Sequence, residues 1–126
     1  MYKGDKLNLK TIFIVDDSDT NLLMAEEALE DYFRTMTLPS ADKMFSLLEK
    51  VIPDLIILDI EMPVMNGFEA LEKLKNMSLW AGIPVIFLTG TIDDSIREKS
   101  NNLGAAGIIT KPFSAPSLLD TINSLI

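Results

Sequence analysis

The chain has 126 residues, 48% of them hydrophobic, which is enough for one buried core and too few for two ordinary domains. A formal net charge of −8 argues against binding a nucleic-acid backbone, which needs a basic footprint. Cysteine and histidine are both absent, removing disulfides, the usual zinc ligands and the usual general base, so any chemistry has to run on carboxylates, hydroxyls, lysine and a bound cation.

The start, MYKGDKLNLK, has no signal-peptide stretch and reads as an N-terminal extension, residues 1–10, before a domain spanning residues 11–126. The longest apolar runs fall far short of the ~20 residues that cross a bilayer, so a cytoplasmic protein without membrane contact is expected. TIFIVD, from Thr11 to Asp16, predicts a central strand covered on both faces. DTNLLMAEEALEDYF then predicts a helix with Leu22, Ala25, Leu29, Tyr32 and Phe33 on its apolar side and Glu26, Glu27 and Glu30 opposite. Arg34 to Leu38 is polar and ends at Pro39, the pattern of an edge strand. Ser40 is the expected N-cap of a second helix that buries Phe45, Leu48 and Ile52 and stops at Pro53.

Leu55 to Asp59 predicts another buried strand, followed by the loop IEMPVMNG. Asn66 is placed to cap a third helix with Phe68, Leu71 and Leu74 on one stripe, fading between Asn76 and Gly82. Pro84 opens the strand PVIFLT, and Asp93 and Asp94 begin a fourth helix that Gly104 closes as a left-handed C′ residue. Gly107 to Thr110 is a short strand, and Ser114 with Pro116 starts a last helix whose apolar side is Leu118, Leu119, Ile122 and Ile126. This alternation implies a parallel α/β sheet with helices on both faces.

Each of four strands delivers polar side chains at its carboxyl end: Asp16 and Asp17, then Asp59, Thr89 and Lys111. In an open parallel sheet those ends share one rim, where ligands bind. Three carboxylates, a hydroxyl and an ammonium on one rim suit a divalent metal and a phosphoryl group. Singly, each has a bland reading: a loop-capping aspartate, a strand-end threonine, a solvated lysine before a turn.

VDDSDTN, DLIILDIEMPVMNGFE, IPVIFLTG and GAAGIITKPF together resemble the four signature blocks of the receiver domain of two-component response regulators, over almost the whole chain. The resemblance implies a flavodoxin-like, doubly wound sheet of five parallel strands in order 2-1-3-4-5, with five helices. It implies that Asp59 is the phosphoacceptor, forming an aspartyl phosphate. Mg²⁺ would be held by Asp16, Asp17, Asp59 and the backbone carbonyl of Glu61. Lys111, before a cis Pro112, would pair with Asp59 and the phosphoryl oxygens, Thr89 would move inward to bond the phosphoryl group, and Gly90 would leave the approach open. The implied partners are a sensor histidine kinase or histidine phosphotransfer protein, and an output domain or partner protein reading a face built from the fourth helix, fifth strand and fifth helix. Such a domain catalyses only its own phosphorylation and dephosphorylation. Glu61 and Thr91 occupy positions that, by this resemblance, would tune water access to the phosphoryl group. The chain departs from the family at Ile108, where the switch position is usually Tyr or Phe; a β-branched aliphatic cannot swing between exposed and buried rotamers in that way. Two other readings share the strand-end carboxylates: a small Mg²⁺-dependent phosphohydrolase of haloacid dehalogenase-like type, whose D-x-D-x-T is broken here by Asn21, and a receiver-like interaction module that is never phosphorylated.

Overall fold

Five strands alternate with five helices in the computed structural model, which describes residues 9–126. The expected extension, residues 1–10, thus lies outside the described residues apart from Leu9 and Lys10, and the Lys10 carbonyl already accepts from Arg34 N–H at 2.9 Å. The strands are β1 (Thr11–Val15), β2 (Arg34–Leu38), β3 (Leu55–Asp59), β4 (Val85–Thr89) and β5 (Gly107–Thr110). They pair in parallel in the order β2-β1-β3-β4-β5, the order expected from the sequence. All residues of β1, β3 and β4 are buried, because helices cover both faces of the sheet centre and leave no solvated side for polar alternation.

The period of two sorts those apolar runs into two cores. Phe13, Val15, Ile56, Leu58 and Phe87 face α2 (Ala41–Leu48) and α3 (Gly67–Lys75). Ile12, Ile14, Leu55, Ile57, Ile86 and Leu88 face α1 (Asp19–Leu29) and α5 (Ala115–Leu125). The remaining helix, α4 (Asp94–Leu103), fully buries only Ser100. The expected caps Ser40 and Asn66 form, and Asp93 and Ser114 at the expected helix starts also cap, each accepting a backbone N–H three residues on; Asn66 and Glu69 make a reciprocal capping box. Gly104 closes α4 with φ 85°, in the left-handed region that favours glycine.

Two helices are shorter than their apolar patterns. α1 stops at Leu29 because the chain must reverse into β2, so Phe33 reaches the core from a turn, with its N–H on the Leu29 carbonyl at 3.0 Å, while Tyr32 is exposed. α2 stops at Leu48 rather than at Pro53, and Ile52 projects into solvent, 54% exposed, instead of joining the buried face. Past α3, Trp80 folds back into the core with its ring 5.7 Å from Phe45, a packing role that its loop position does not announce.

Candidate functional site

The sheet ladder continues one residue past β1, β3 and β5 on the rim. Asp16 N–H donates to the Leu38 carbonyl at 3.1 Å, Ile60 N–H to Leu88 at 2.9 Å and Lys111 N–H to Thr89 at 2.8 Å. Backbone pairing rather than loop contacts therefore aims Asp16, Asp59 and Lys111, and a side chain on a sheet rim is held more rigidly than one on a free loop.

Carboxylate oxygens of Asp16, Asp17 and Asp59 lie within 4.8 Å of one another. Asp16 is fully buried, Asp59 is 1% exposed and Asp17 is open to solvent. Lys111 Nζ donates to Asp59 Oδ1 at 2.9 Å and stands 3.6 Å from Asp16 Oδ2. Asp16 Oδ1 accepts from Ser18 N–H at 2.9 Å, but among the described residues its buried Oδ2 has no hydrogen-bond partner, since 3.6 Å is too long for one. Glu61 N–H donates to Asp59 Oδ1 at 3.3 Å, while the Glu61 side chain is exposed.

Burial pushes the Asp59 carboxyl up from 3.8 to about 6; the Lys111 hydrogen bond opposes that rise and the Asp16 charge adds to it. Burial by itself would lower the Lys111 ammonium, yet the Asp59 hydrogen bond and the Asp16 and Asp59 charges outweigh it, and Lys111 is held above its usual value. One lysine among three clustered carboxylates leaves an excess of negative charge. An orphaned buried carboxylate oxygen, an all-oxygen donor set and one solvent-facing carboxylate fit a hard divalent cation that keeps some of its water, as Mg²⁺ does.

The Thr89 hydroxyl bonds within its own loop rather than to this cluster. Thr89 is fully buried, and its Oγ1 donates to the Thr91 carbonyl at 2.9 Å and accepts from Thr91 N–H at 3.3 Å, so the hydroxyl is occupied by its own loop. Gly90 is exposed, and a Cβ there would meet nothing within 4 Å. Ile108 packs against the core that contains Phe87 and lines a cavity of about 380 Å³ shared with Ile92, Pro112, Phe113 and Thr121. Phe87 is buried core, Phe113 is half-buried, and the Lys111–Pro112 peptide is cis. Two contributors carry no mark in the apolar pattern: Ser18, which caps α1 while its N–H holds Asp16, and Gly67, whose N–H donates to the Ile60 carbonyl at 2.8 Å.

The family model described as response regulator receiver domain matches residues 12–123. The chain is 34% identical over 120 residues to a probable cyclic di-GMP phosphodiesterase of Vibrio cholerae, with 95% of this chain and 27% of that protein covered. It is 33% identical to a probable transcriptional regulator of Porphyra purpurea, covering 57% of it, and 31% identical to the chemotaxis protein CheY of Halobacterium salinarum, covering 93% of this chain and 97% of that one. The chain thus spans between about a quarter and three fifths of the first two relatives. Among solved structures, the chemotaxis protein CheY4 of Vibrio cholerae superposes with a TM-score of 0.89 at 28% identity, covering 94% of this chain and 99% of that one. The receiver domain of a histidine kinase from Syntrophus aciditrophicus gives 0.84 at 32% identity, covering 92% and 89%.

Proposed function

Because the chain belongs to the response regulator receiver domain family, and is a phosphoacceptor domain of two-component systems, we propose that Asp59 is its acceptor and that the acidic rim is its Mg²⁺ site. The observation that carries this reading is the Lys111–Asp59 ion pair of 2.9 Å inside a cluster of three carboxylates. With its carboxyl near 6, Asp59 is mostly ionised at neutral pH and is a competent nucleophile. One of its oxygens attacks the phosphorus of a phosphohistidine on a sensor kinase or phosphotransfer protein; the O–P bond forms, the P–N bond breaks, and the electron pair returns to the imidazole. Lys111 already lies against Asp59 and neutralises the phosphoryl oxygens that arrive there. Asp16, Asp17, Asp59 and the Glu61 carbonyl would hold Mg²⁺. The cation, when bound, supplies positive charge that lets clustered carboxylates and a phosphoryl group share one site. Thr89 then leaves Thr91 to bond the phosphoryl group, and the changed loop shifts a conformational equilibrium read by an output domain or partner protein.

The chain is then a signalling module that turns over no substrate of its own. Incubation with Mg²⁺ and acetyl phosphate should add one hydroxylamine-labile phosphoryl group in intact-mass analysis. Asp59→Asn should abolish the addition, and Asp17→Ala should reduce it by weakening the metal. Phosphorylation of Asp59→Asn to the wild-type extent would overturn the assignment, and sustained Asp59-dependent hydrolysis of p-nitrophenyl phosphate would favour a phosphohydrolase.

A further inference from the structure

The start of α3 lies directly on the backbone that carries Asp59. A Cβ built on Gly67 would sit 2.5 Å from the Asp59 carbonyl oxygen and 2.8 Å from the Ile60 Cα, both main-chain atoms that cannot swing aside as the end of a long side chain can. Gly67 is buried, and its N–H donates to the Ile60 carbonyl at 2.8 Å, closing the loop that begins after Asp59. On the other side of that peptide, Ile60 N–H is tied to the Leu88 carbonyl of β4 at 2.9 Å, and Glu61 N–H to the Asp59 carboxylate. The Asp59–Ile60 segment is therefore clamped between β4 and the first residue of α3, and the α3 side of the clamp closes only because position 67 has no side chain. The capping box of Asn66 and Glu69 prevents an easy retreat of the helix start.

We propose that Gly67 is a positioning residue for phosphoryl transfer: its missing side chain lets α3 press the Asp59–Ile60 backbone into the place from which the Asp59 carboxylate meets Lys111 and the Asp16–Asp17 pair. The proposal rests on Asp59 being the acceptor. Any side chain at 67 separates α3 from the strand end, and Asp59, being the last residue of β3, takes up the displacement. A shift on the order of an ångström at a reacting group is enough to cost roughly a hundredfold in rate. Gly82 supplies a control, because a Cβ there meets nothing within 4 Å.

The test compares wild type, Gly67→Ala and Gly82→Ala, at a temperature where circular dichroism shows each one folded. Autophosphorylation by acetyl phosphate is followed at saturating Mg²⁺ as a function of donor concentration. The expected result is at least a tenfold fall in the limiting rate for Gly67→Ala, with half-saturation by donor unchanged, and wild-type behaviour for Gly82→Ala. Amide shifts of Asp59, Ile60 and Glu61 should move in the phosphate-free Gly67→Ala protein, an effect independent of turnover. If Gly67→Ala does not fold, insertion of one glycine after Val64 lifts Gly67 off the Ile60 carbonyl at little cost in loop closure, and the same fall in rate is expected. A wild-type limiting rate in either folded variant overturns the proposal. Absence of phosphorylation at Asp59 in the wild type would instead remove the functional reading beneath it.

Discussion

Asp59 is paired with the Lys111 ammonium and almost shut off from water, and burial outweighs the cation. Its carboxyl stands at about 6 in the folded chain against 3.8 when exposed, so in the absence of metal the folded state holds this proton more tightly than the unfolded state does. Stability associated with the protonated form is fully present below pH 3.8 and is lost as pH rises through 6. Asn cannot ionise and escapes that loss. In metal-free buffer at pH 7 to 8, Asp59→Asn should therefore be more stable than wild type by about 1–3 kcal/mol, since each tenfold difference in proton affinity between the folded and unfolded chains is worth roughly 1.4 kcal/mol. Urea midpoints measured from pH 4 to 8 check this, and the advantage should shrink toward pH 4. An advantage that is constant with pH, or a loss of stability at pH 8, would contradict it. The same residue that suits the chemistry thus costs the fold stability, as functional groups often do.

The helices differ in how firmly they are held, and α4 is held least. It fully buries Ser100 alone, whose hydroxyl donates back to the Ile96 carbonyl at 2.7 Å, and its other ties are the half-buried Ile96 and Leu103 and the Lys99 ammonium over the Phe68 ring at 4.6 Å. Elements with few buried contacts shift at low cost. The loop that carries the Thr89–Thr91 hydrogen bonds runs straight into the Asp93 cap of α4. With beryllofluoride standing for the phosphoryl group, Thr89 and the segment from Gly90 to Ile96 should move while Ile108 keeps its rotamer, because β-branching restricts its χ1 and one side of it packs against the Phe87 core. Thr89→Ala should remove the shift without blocking phosphorylation. Amide chemical shifts of free and bound forms decide the matter, and a rearrangement centred on Ile108 with Thr89 unmoved would show the reverse. Strands and caps were legible because β-branched runs and Ser, Asn or Asp before an apolar stripe have local causes. The ends of α1 and α2 were not, because Tyr32 and Ile52 fit the helical period and only the crossover to the next strand takes them out of it.

Across the whole molecule, the sheet order places the β1 and β3 ends side by side, and that adjacency brings Asp59 to the neighbouring pair Asp16 and Asp17 from a distant stretch of sequence. The candidate ligands could be read from the strand ends, since topology carries them to one rim whatever the loops do. Gly67 could not, because its constraint is a contact with backbone seven and eight residues away around a loop, and nothing in the apolar period encodes that approach. The position of the Thr89 hydroxyl was equally hidden, since a choice between its own loop and the acidic cluster depends on what occupies the site. The clustered charge couples the site to global stability. A cation that binds the folded chain and not the unfolded one stabilises it by RT ln(1 + [L]/Kd), about 2.7 kcal/mol at a concentration one hundred times Kd. For a chain of this size that raises Tm by roughly 10 °C. Thermal unfolding with increasing Mg²⁺, compared at constant ionic strength with sodium chloride, should show a saturable rise in the wild type. Asp17→Ala should unfold near the wild-type metal-free temperature and respond weakly to Mg²⁺, because its carboxylate is exposed and adds nothing to the core. An equal Mg²⁺-dependent rise in Asp17→Ala would place the cation elsewhere on this acidic surface, and no rise in the wild type would mean that the buried Asp16 oxygen is left without the partner its position calls for.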